Sequence, residues 1–423
     1  MAKLYLLFLL SCFYIDKILA YCTYYFLLFR NFYPKKYSKS ILIIRPDAIG
    51  DMLISLCAIE VIYRHFHKLG YEIVLINSNA TKAIMESCPF IDKAITIDVD
   101  RLHRSFSYNI DIYKKLATIH PEYAVNLRFL PKQSTFDHKL TLLSGALHKC
   151  TIDGRSFVPS TQCINEYAKK SNSIFKRFLK KLLTNKSRCQ ALLYVWCNCW
   201  RGIYDICPFF NEKHDIYTYE KKLVQVLCEQ EYKIEPHFPN WLNEEYVEIS
   251  KPYYVVAPSA SSVYKSWPED KFIQIIKAFA MICPFITVVL TGTSKDIAIV
   301  DKITSALPAN INYVNLCGKT NVQQLASIIK NSHFVVSNDS GTAHIAGLLR
   351  KEEIVLVCGG HYGLYFPNHF YNKAHVVAAH KKCFNCNFLC YGLIDKRLPC
   401  IIDIKAKQVL KLMANILQSH SLA

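Results

Sequence analysis

The sequence predicts an α/β protein built from two αβα halves, and three observations carry this prediction. Short apolar runs alternate with stretches of helical periodicity, beginning near residue 40 and again near residue 253, which is typical of βαβ units that share a parallel sheet. A stretch rich in turn formers at 236–244 (PHFPNWLNE) predicts a linker between the two series. The 423 residues, 52% hydrophobic and 20% charged, exclude a disordered chain and allow two large cores.

The elements of each half follow from these patterns. In the first half we expect a helix that ends near His67 and strands at 41–44, 71–77, 94–99 and 123–127. In the second half we expect helices at 268–281, 295–307, 321–331 and from 341, and strands at 253–257, 286–291, 314–316, 334–337 and 354–358. Two such halves joined by a linker imply a cleft between them.

Net charge and cysteine content indicate which partners and which cellular compartment to expect. Lys and Arg number 51 against 33 Asp and Glu, a formal charge of +18, which favours an anionic partner such as nucleic acid, anionic lipid or a phosphorylated substrate. The 18 cysteines are spread too widely for a disulfide framework, so we expect mostly reduced thiols and a cytoplasmic setting.

The N-terminus is apolar. Residues 4–29 carry only Asp16 and Lys17, which divide the segment into two apolar runs too short to span a bilayer. We expect an uncleaved membrane anchor, because no signal-peptide cleavage pattern follows. The cations Arg30, Lys35, Lys36 and Lys39 come next and would keep the rest of the chain in the cytoplasm. The alternative is a helix packed on the core.

A second basic stretch lies at 168–188. It has eight Lys or Arg, no acid, and apolar residues at helical spacing. Such a helix suits an anionic membrane surface, and it would equally suit packing on the domain by its apolar face.

Three loops at predicted strand ends carry candidate binding residues. The first holds Asp47, Gly50 and Asp51, although Asp51 at a helix start could be merely an N-cap. The second, 258–269, holds Lys265, and the third, 337–344, turns into a helix start that could bind phosphate. No GxGxxG motif occurs, and the GKT at 318–320 lacks the first glycine of a P-loop, which excludes both standard nucleotide motifs.

Together these loops resemble glycosyltransferase family nine, the bacterial heptosyltransferases that build the lipopolysaccharide core. The resemblance covers roughly residues 40 to 415. The matching stretches are ILIIRPDAIGDMLIS at 41–55, VVAPSASSVYKSWPEDKF at 255–272, VVLTGTSKD at 288–296 and NLCGKTNVQQLASIIKNSHFVVSNDSGTAHIA at 315–346.

The resemblance implies a GT-B fold, in which two Rossmann-like domains face each other across a cleft. It implies that Asp51 is the catalytic base and that Lys265 contacts the donor phosphates. Asp296 falls where the family often has a glutamate that binds the ribose. The other implied donor-binding residues are Ser261, Asp339, Ser340, Gly341, Thr342 and His344, and those on the acceptor side are Asp47, Gly50, Arg128 and Lys132.

The chain also departs from the family. Ala260 stands where some members have a hydroxyl residue, and the N-terminal apolar segment is extra. The spacing of Cys383, Cys386, Cys390 and Cys400 is close to that of zinc ligands. We expect reduced thiols and neither metal nor cofactor, because GT-B chemistry does not require an ion, with zinc as the alternative.

The leading hypothesis is an inverting glycosyltransferase that moves heptose from ADP-heptose to a lipopolysaccharide-core or other lipid-linked acceptor. The alternatives are a transferase that uses another nucleotide sugar and a non-catalytic membrane-associated binding protein. The expected partners are the donor, the acceptor and an anionic membrane surface, without nucleic acid, at the cytoplasmic face of the inner membrane. We expect a membrane-associating segment at 1–39, an acceptor domain at 40–240 and a donor domain at 250–423.

Overall fold

The structure, a computed structural model, describes residues 17–30, 32–128, 136–153, 200–210, 212–242, 244–386, 388 and 396–421. Packing divides the chain into two compact units, with a boundary between Glu235 and Pro236. Unit 1 comprises the described residues up to Glu235 and unit 2 those from Pro236 onward. The boundary lies at the start of the stretch that the sequence predicts to be a linker.

Unit 1 is an αβα layer around a parallel sheet. Its strands lie in the order β3-β2-β1-β4-β5, and each pairs in parallel with its neighbours. The strands are β1 (Ser38–Ile44), β2 (Glu72–Ser78), β3 (Lys93–Ile97), β4 (Pro121–Asn126) and β5 (His148–Cys150). The helices are α1 (residues 17–29), α2 (Ile49–Lys68), α3 (Lys82–Glu86), α4 (Val99–Arg104), α5 (Phe106–Ile119), α6 (Phe136–Leu143) and α7 (Ile216–Cys228).

The central strand of unit 1 is buried along its length. Ile41 to Ile44 have no exposed surface, as expected for a parallel strand whose two faces are both covered by helices. Leu42 and Ile44 share a core with Val74 of β2 and with Leu116 of α5. A continuous apolar run therefore marks this strand in the sequence.

Helix α1 packs on unit 1 rather than standing apart as a separate segment. Leu27 is fully buried and shares the core of the sheet with Tyr33, while Ala20 packs with Leu142 and Trp200. One face of α1 is therefore packed on the core, as in the alternative interpretation of the N-terminal segment. Among the described residues, no helix combines the length and apolarity needed to cross a membrane.

Unit 2 repeats the architecture with six parallel strands in the order β11-β10-β9-β6-β7-β8. The strands are β6 (Tyr253–Ala257), β7 (Thr287–Leu290), β8 (Tyr313–Asn315), β9 (Val335–Asn338), β10 (Glu353–Leu356) and β11 (Ala374–Val377). The helices are α8 (Glu269–Ile282), α9 (Ile297–Ser305), α10 (Val322–Asn331), α11 (Gly341–Leu348), α12 (Pro399–Ile402) and α13 (Ala406–Ser421).

Local chemistry sets the ends of these elements. At the start of α10, Asn321 Oδ1 accepts from the Gln324 amide at 2.8 Å, and Gln324 Oε1 accepts from the Asn321 amide at 3.0 Å. This capping box pairs two amides that have no partner within the helix, and its Asn-x-x-Gln pattern is visible in the sequence. It explains why the predicted start of this helix, residue 321, lies within one residue of the observed start.

The strand order reverses once in each sheet, between β1 and β4 in unit 1 and between β6 and β9 in unit 2. Consecutive connections leave the sheet on opposite sides at such a point, so a crevice opens beyond the carboxyl ends of the two strands. The loops after β1 and β4, and those after β6 and β9, are therefore where each unit can hold a ligand.

The predicted α/β class with two parallel sheets is confirmed, and the predicted strands are found with shifts of one to three residues at their ends. The edge strands β5 and β11 and the last helix α13 were not predicted. β5 and β11 have three and four residues with partly exposed positions, so neither shows the unbroken apolar run of a central strand.

Candidate functional site

A fully buried arginine organises the carboxyl edge of the sheet in unit 1. Arg45 directly follows β1, and its Nη1 donates to the Leu127 carbonyl beyond β4 at 2.7 Å. The same guanidinium lies 3.2 Å from Asp47 Oδ2 and 3.7 Å from Asp51 Oδ1, and Nη2 donates to the Asp51 carbonyl at 3.1 Å. Because a buried guanidinium must be paired, Arg45 fixes both strand-end loops and both carboxylates.

Asp51 is not the N-cap of its helix. Helix α2 begins at Ile49, and its N-cap is Ala48, which makes no side-chain cap. Asp51 therefore lies in the first turn, where the helix dipole favours an anion. Its side chain is 28% exposed, against 10% for that of Asp47. Asp51 is thus the carboxylate of this loop with more access to a ligand.

Asp47 is held between two arginines. Its Oδ1 lies 3.0 Å from Arg128 Nε, while its Oδ2 faces Arg45. Arg128 also lies 3.7 Å from Asp137 Oδ1 and stacks over the Phe136 ring at 4.6 Å. Burial alone would lower the pKa of Arg128, but the negative charges of Asp47 and Asp137 outweigh it and raise the pKa above its usual value. Arg128 is therefore a permanent cation at the end of β4.

A buried polar network lies beside this ion pair. Asn126, the last residue of β4, donates to Asp137 Oδ2 at 3.1 Å and to the Tyr204 hydroxyl at 2.9 Å. That hydroxyl lies 2.6 Å from His138 Nδ1. Burial lowers the pKa of His138 below its ordinary value, which favours the neutral ring. The network makes this edge of unit 1 rigid and polar.

In unit 2, one asparagine joins the two loops at the switch point. Asn338 is fully buried at the end of β9; its Nδ2 donates to the Pro258 carbonyl at 2.7 Å, and its Oδ1 accepts from the Trp267 amide at 2.9 Å. Pro258 and Trp267 bracket the loop after β6. The Asn338 side chain therefore sets the position of that loop relative to the start of α11.

Two serine hydroxyls without a hydrogen-bond partner among the described residues lie at the start of α11 and in the loop after β6. Its N-cap is Ser340, whose side chain makes no capping hydrogen bond, and Ser340 Oγ is buried without a hydrogen-bond partner among the described residues. The hydroxyl of Ser259, in the loop after β6, is also buried without a hydrogen-bond partner among the described residues. Gly341 and Thr342 form the first turn, and backbone N–H groups at a helix start carry partial positive charge. A helix start of this kind suits an anion.

His344 lies one turn into α11 and closes the other side of this site. Its Nε2 is 3.7 Å from Asp339 Oδ1, and its ring stacks on Phe366 with centroids 5.0 Å apart. Both side chains are mostly buried. The structure thus places Asp339 and His344 together beside the helix start, and their role in donor binding stays a prediction.

Lys265 is the cation of the loop after β6. It ends a short 3-10 turn, Val263–Lys265, and its Nζ lies 4.6 Å from the centre of the Phe388 ring. Ser261, four residues earlier, is exposed. Stacking on an aromatic ring limits the positions of the ammonium group, so Lys265 is held near the switch point of unit 2.

Asp296 has a structural partner. Its Oδ2 accepts from the Thr293 amide at 2.8 Å and from the Thr293 hydroxyl at 2.7 Å, in the capping box of a 3-10 turn after β7. The ribose contact implied by the resemblance stays a prediction for this residue.

Four of the predicted features lie wholly or partly outside the described residues: Lys132, Cys390, the basic stretch 168–188, and residues 4–16 of the apolar segment 4–29. Of the other three C-terminal cysteines, Cys386 and Cys400 are buried, and Cys400 Sγ accepts from the Gly359 amide at 3.3 Å. Burial raises the pKa of Cys400 to about 11, which keeps it a thiol. Within the described part of the chain, no three His, Cys, Asp or Glu side chains are arranged to hold a metal ion.

The predicted residue list omits several members of these sites: Arg45, Asn126, Asp137, His138, Tyr204 and Asn338. Three of them have a signal in the sequence, since Arg45, Asn126 and Asn338 are polar residues that end apolar strands. Tyr204 has no such signal, because its contact to Asn126 joins residues 78 positions apart.

Known proteins resemble the chain in sequence. The model of glycosyltransferase family 9 (heptosyltransferase) matches residues 203–384. Lipooligosaccharide heptosyltransferase 2 of Haemophilus influenzae is 36% identical over 94 residues, which are 22% of this chain and 27% of that protein. The lipopolysaccharide core heptosyltransferase OpsX of the same organism is 27% identical over 110 residues, 24% of this chain and 29% of that protein. The chain thus aligns with about a quarter of the length of these relatives.

Solved structures resemble the fold over most of the chain. Escherichia coli ADP-heptose lipopolysaccharide heptosyltransferase II has a TM-score of 0.53 at 17% identity, covering 90% of this chain and 99% of its own. E. coli heptosyltransferase WaaC with ADP has a TM-score of 0.54 at 12% identity, covering 91% of this chain and 100% of its own. At these identities the likeness concerns the fold, and it confirms the predicted GT-B class. The resemblance to glycosyltransferase family 9 is therefore confirmed, by sequence over residues 203–384 and by fold over both units.

Proposed function

We propose that the protein is an inverting glycosyltransferase that moves heptose from ADP-heptose to a lipopolysaccharide-core or other lipid-linked acceptor. The family match and the heptosyltransferase names of both sequence relatives support this reaction class. One of the similar structures contains ADP and another ADP-2-deoxy-2-fluoro heptose, which supports the choice of donor.

The start of α11 carries the proposal. Its N-cap hydroxyl, Ser340 Oγ, is buried and makes no cap, and Asn338 holds the Lys265 loop against the same strand end. A leaving diphosphate gains negative charge as the bond to the sugar breaks. Fixed N–H groups, a hydroxyl and an ammonium group would stabilise that charge without reorganisation. Unit 2 therefore suits the nucleotide diphosphate.

Unit 1 suits the acceptor step. A sugar hydroxyl is a poor nucleophile at neutral pH, so a carboxylate must take its proton as the new glycosidic bond forms. Asp51 fills this role because it is the more exposed carboxylate of the loop and Arg45 fixes its backbone. The acceptor oxygen bonds to the anomeric carbon, the bond to the diphosphate breaks, and ADP leaves. One displacement inverts the anomeric configuration.

A lipid-linked acceptor requires the enzyme to work at a membrane surface. We place it at the cytoplasmic face of the inner membrane, as a peripheral protein. The apolar residues 4–29, the cations that follow them and the basic stretch 168–188 support this location.

Calorimetric titration of the full chain with ADP-heptose, ADP and UDP- or GDP-sugars tests the donor. We expect ADP-heptose to bind best and Ser340→Ala to weaken it, while Ser305→Ala, an exposed serine at the end of α9, leaves affinity unchanged. Preference for another nucleotide sugar would favour the alternative transferase. Tight binding without sugar transfer to deacylated or intact lipopolysaccharide core would favour the binding protein.

A further inference from the structure

We propose that the outward face of α1 docks on an anionic lipid bilayer as an interfacial helix, lying in the headgroup region without crossing it. We call this face the α1 stripe and define it by Ile18, Leu19, Cys22, Tyr25, Phe26 and Phe29. The inference deepens the proposed membrane location by assigning the contact surface and its orientation.

The α1 stripe is apolar and exposed. Ile18, Cys22, Tyr25 and Phe29 follow one another at intervals of four, three and four residues, so they lie on one side of the helix. Phe29 is 84% exposed, and Tyr25 and Leu19 are about 60% exposed. A row of large apolar side chains on the surface of a soluble unit marks an interaction site.

The opposite face fixes the helix on unit 1. Leu27 is fully buried in the sheet core, Ala20 is buried beside Trp200, and the Tyr33 hydroxyl just after the helix donates to the Leu143 carbonyl at 2.7 Å. The helix therefore cannot turn the α1 stripe inward. The described residues of unit 1 leave the α1 stripe exposed.

The positive charges next to the α1 stripe favour an anionic lipid surface as its partner. Arg30, Lys35 and Lys36 follow the helix and are exposed, and none forms an ion pair with a described carboxylate. The sequence has no Asp or Glu between Asp16 and Asp47. An apolar helix face beside cations matches anionic headgroups over acyl chains. A symmetric dimer through the same stripe would instead bring identical cations together.

The docked helix would also orient the acceptor side of unit 1. Ala20 packs in one cluster with Leu142, Trp200 and Tyr204, and the Tyr204 hydroxyl accepts from Asn126 at the end of β4. One layer of side chains therefore separates the helix from the polar network beside Arg128. This consequence rests on the proposed function, because it matters only for an acceptor that is anchored in the bilayer.

Point substitutions test the surface better than truncation. Deleting residues 1–39 would remove the buried Leu27 and Tyr33 and the first residues of β1, so a loss of binding by that product would not separate docking from folding. Phe26 and Phe29 are exposed, so their replacement leaves the core intact. Phe106 and Phe285, 81% and 66% exposed elsewhere on the molecule, provide a matched control pair.

The first experiment measures sedimentation of the full chain with vesicles of 70% phosphatidylcholine and 30% phosphatidylglycerol. Phe26→Ser with Phe29→Ser should lower the coefficient for partition of the protein into the vesicles by about tenfold or more. Each substitution deletes an aromatic ring and so reduces the apolar area that the helix buries in the membrane. Phe106→Ser with Phe285→Ser should leave it unchanged. Equal binding by the two double variants, at unchanged melting temperature, would overturn the inference.

The second experiment removes charge. Arg30→Gln, Lys35→Gln and Lys36→Gln together should weaken binding by roughly 10- to 100-fold at low salt, because each cation near an anionic surface contributes a few-fold. Pure phosphatidylcholine vesicles should bind all forms weakly. The control triple variant changes Lys277, Lys407 and Lys411 of unit 2, all exposed, and should bind like the parent. An equal loss of vesicle binding in the control variant would show that binding depends only on the net charge of the protein. That result would overturn the assignment of the α1 stripe as the docking surface.

Depth distinguishes an interfacial helix from other arrangements. Lipids brominated near the top of the acyl chain should quench the fluorescence of the Phe26→Trp variant more than that of the parent. They should not increase the quenching of the Phe106→Trp variant. If alkaline carbonate did not extract the membrane-bound protein, a spanning segment would be indicated and the interfacial arrangement would be overturned.

Light scattering tests self-association. A dimer that dissociates in the Phe26→Ser, Phe29→Ser double variant, together with absence of vesicle binding, would assign the α1 stripe to self-association. None of these readouts uses a nucleotide sugar, so failure of the proposed reaction would be seen separately.

Discussion

The side-chain amide of Asn338 donates to the main-chain carbonyl of Pro258 at 2.7 Å. This bond crosses the point where the strand order of unit 2 reverses, from the end of β9 to the loop after β6. Asn338 Oδ1 also accepts from the Trp267 amide, so one buried side chain sets both ends of the loop that carries Lys265. The loop that carries Lys265 is thus held by a buried, uncharged side chain.

Asn338→Ala should weaken ADP-heptose binding by about tenfold, the equivalent of about 1.4 kcal/mol, because the Lys265 loop loses its anchor. It should also lower the free energy of unfolding by about 1–3 kcal/mol, since the Pro258 carbonyl and the Trp267 amide lose their partner. Calorimetry and chemical denaturation measure the two effects. Asn315→Ala, at the end of edge strand β8, is the matched control. Donor affinity unchanged in Asn338→Ala would contradict the role of this clamp.

Lys265→Ala should reduce donor affinity or turnover by roughly 10²-fold or more, the usual effect of removing one preorganised charge partner of a leaving group. Lys407→Ala, an exposed lysine on α13, controls for net charge. Steady-state kinetics with ADP-heptose give both parameters. Unchanged kinetics, or strict dependence of the parent enzyme on added divalent ions, would argue against Lys265 as the phosphate contact.

Asp51→Asn should lower turnover by roughly 10²- to 10⁴-fold, as expected for loss of a general base, and leave donor affinity nearly unchanged. Asp47→Asn should act differently. Because Asp47 lies buried between Arg45 and Arg128, its loss of charge should mainly reduce the free energy of unfolding.

The comparison of turnover with melting temperature separates these two carboxylates. The product should carry the anomeric configuration opposite to that of the donor, which proton NMR of the purified product measures. Near-normal turnover in Asp51→Asn, or retained configuration, would remove Asp51 from the role of sole base.

Glu353, the first residue of β10, should make stability depend on pH. It is fully buried, and neither carboxylate oxygen has a hydrogen-bond partner among the described residues. Burial and then the negative charge of Asp339 raise its pKa well above the usual value. The folded protein therefore keeps this proton after the unfolded chain has released it. Stability from this group is fully present below the ordinary glutamate pKa and is lost as pH rises through the folded pKa.

Glu353→Gln should accordingly stabilise the protein by about 1–3 kcal/mol at pH 8 and have little effect near pH 4. Urea denaturation at both pH values measures the difference. Glu352→Gln provides the control, because Glu352 has a partner in His375, 3.0 Å away. A Glu353→Gln effect that is equal at pH 4 and pH 8 would show that folding does not raise the pKa of Glu353.

Both parallel sheets, and the strand ends whose loops carry the candidate site residues, can be predicted from the sequence. Central strands such as 41–44 and 253–257 are buried on both faces, so they leave unbroken apolar runs. Loops at their carboxyl ends carry Asp51, Lys265 and Ser340, and the order of these loops is enough to show the resemblance to the family. Such features are local in the chain, which is why they can be read from it.

The tertiary structure alone decided which side chains support those loops. Arg45 reaches Leu127 across 82 positions, Asn338 reaches Pro258 across 80, and Tyr204 reaches Asn126 across 78. Such contacts arise only when parallel strands bring distant strand ends to one edge. The same holds for the two faces of α1, whose residues are apolar on nearly every side. The packing of Leu27 in the sheet core and of Ala20 on Leu142 and Trp200 determines which of them remain exposed.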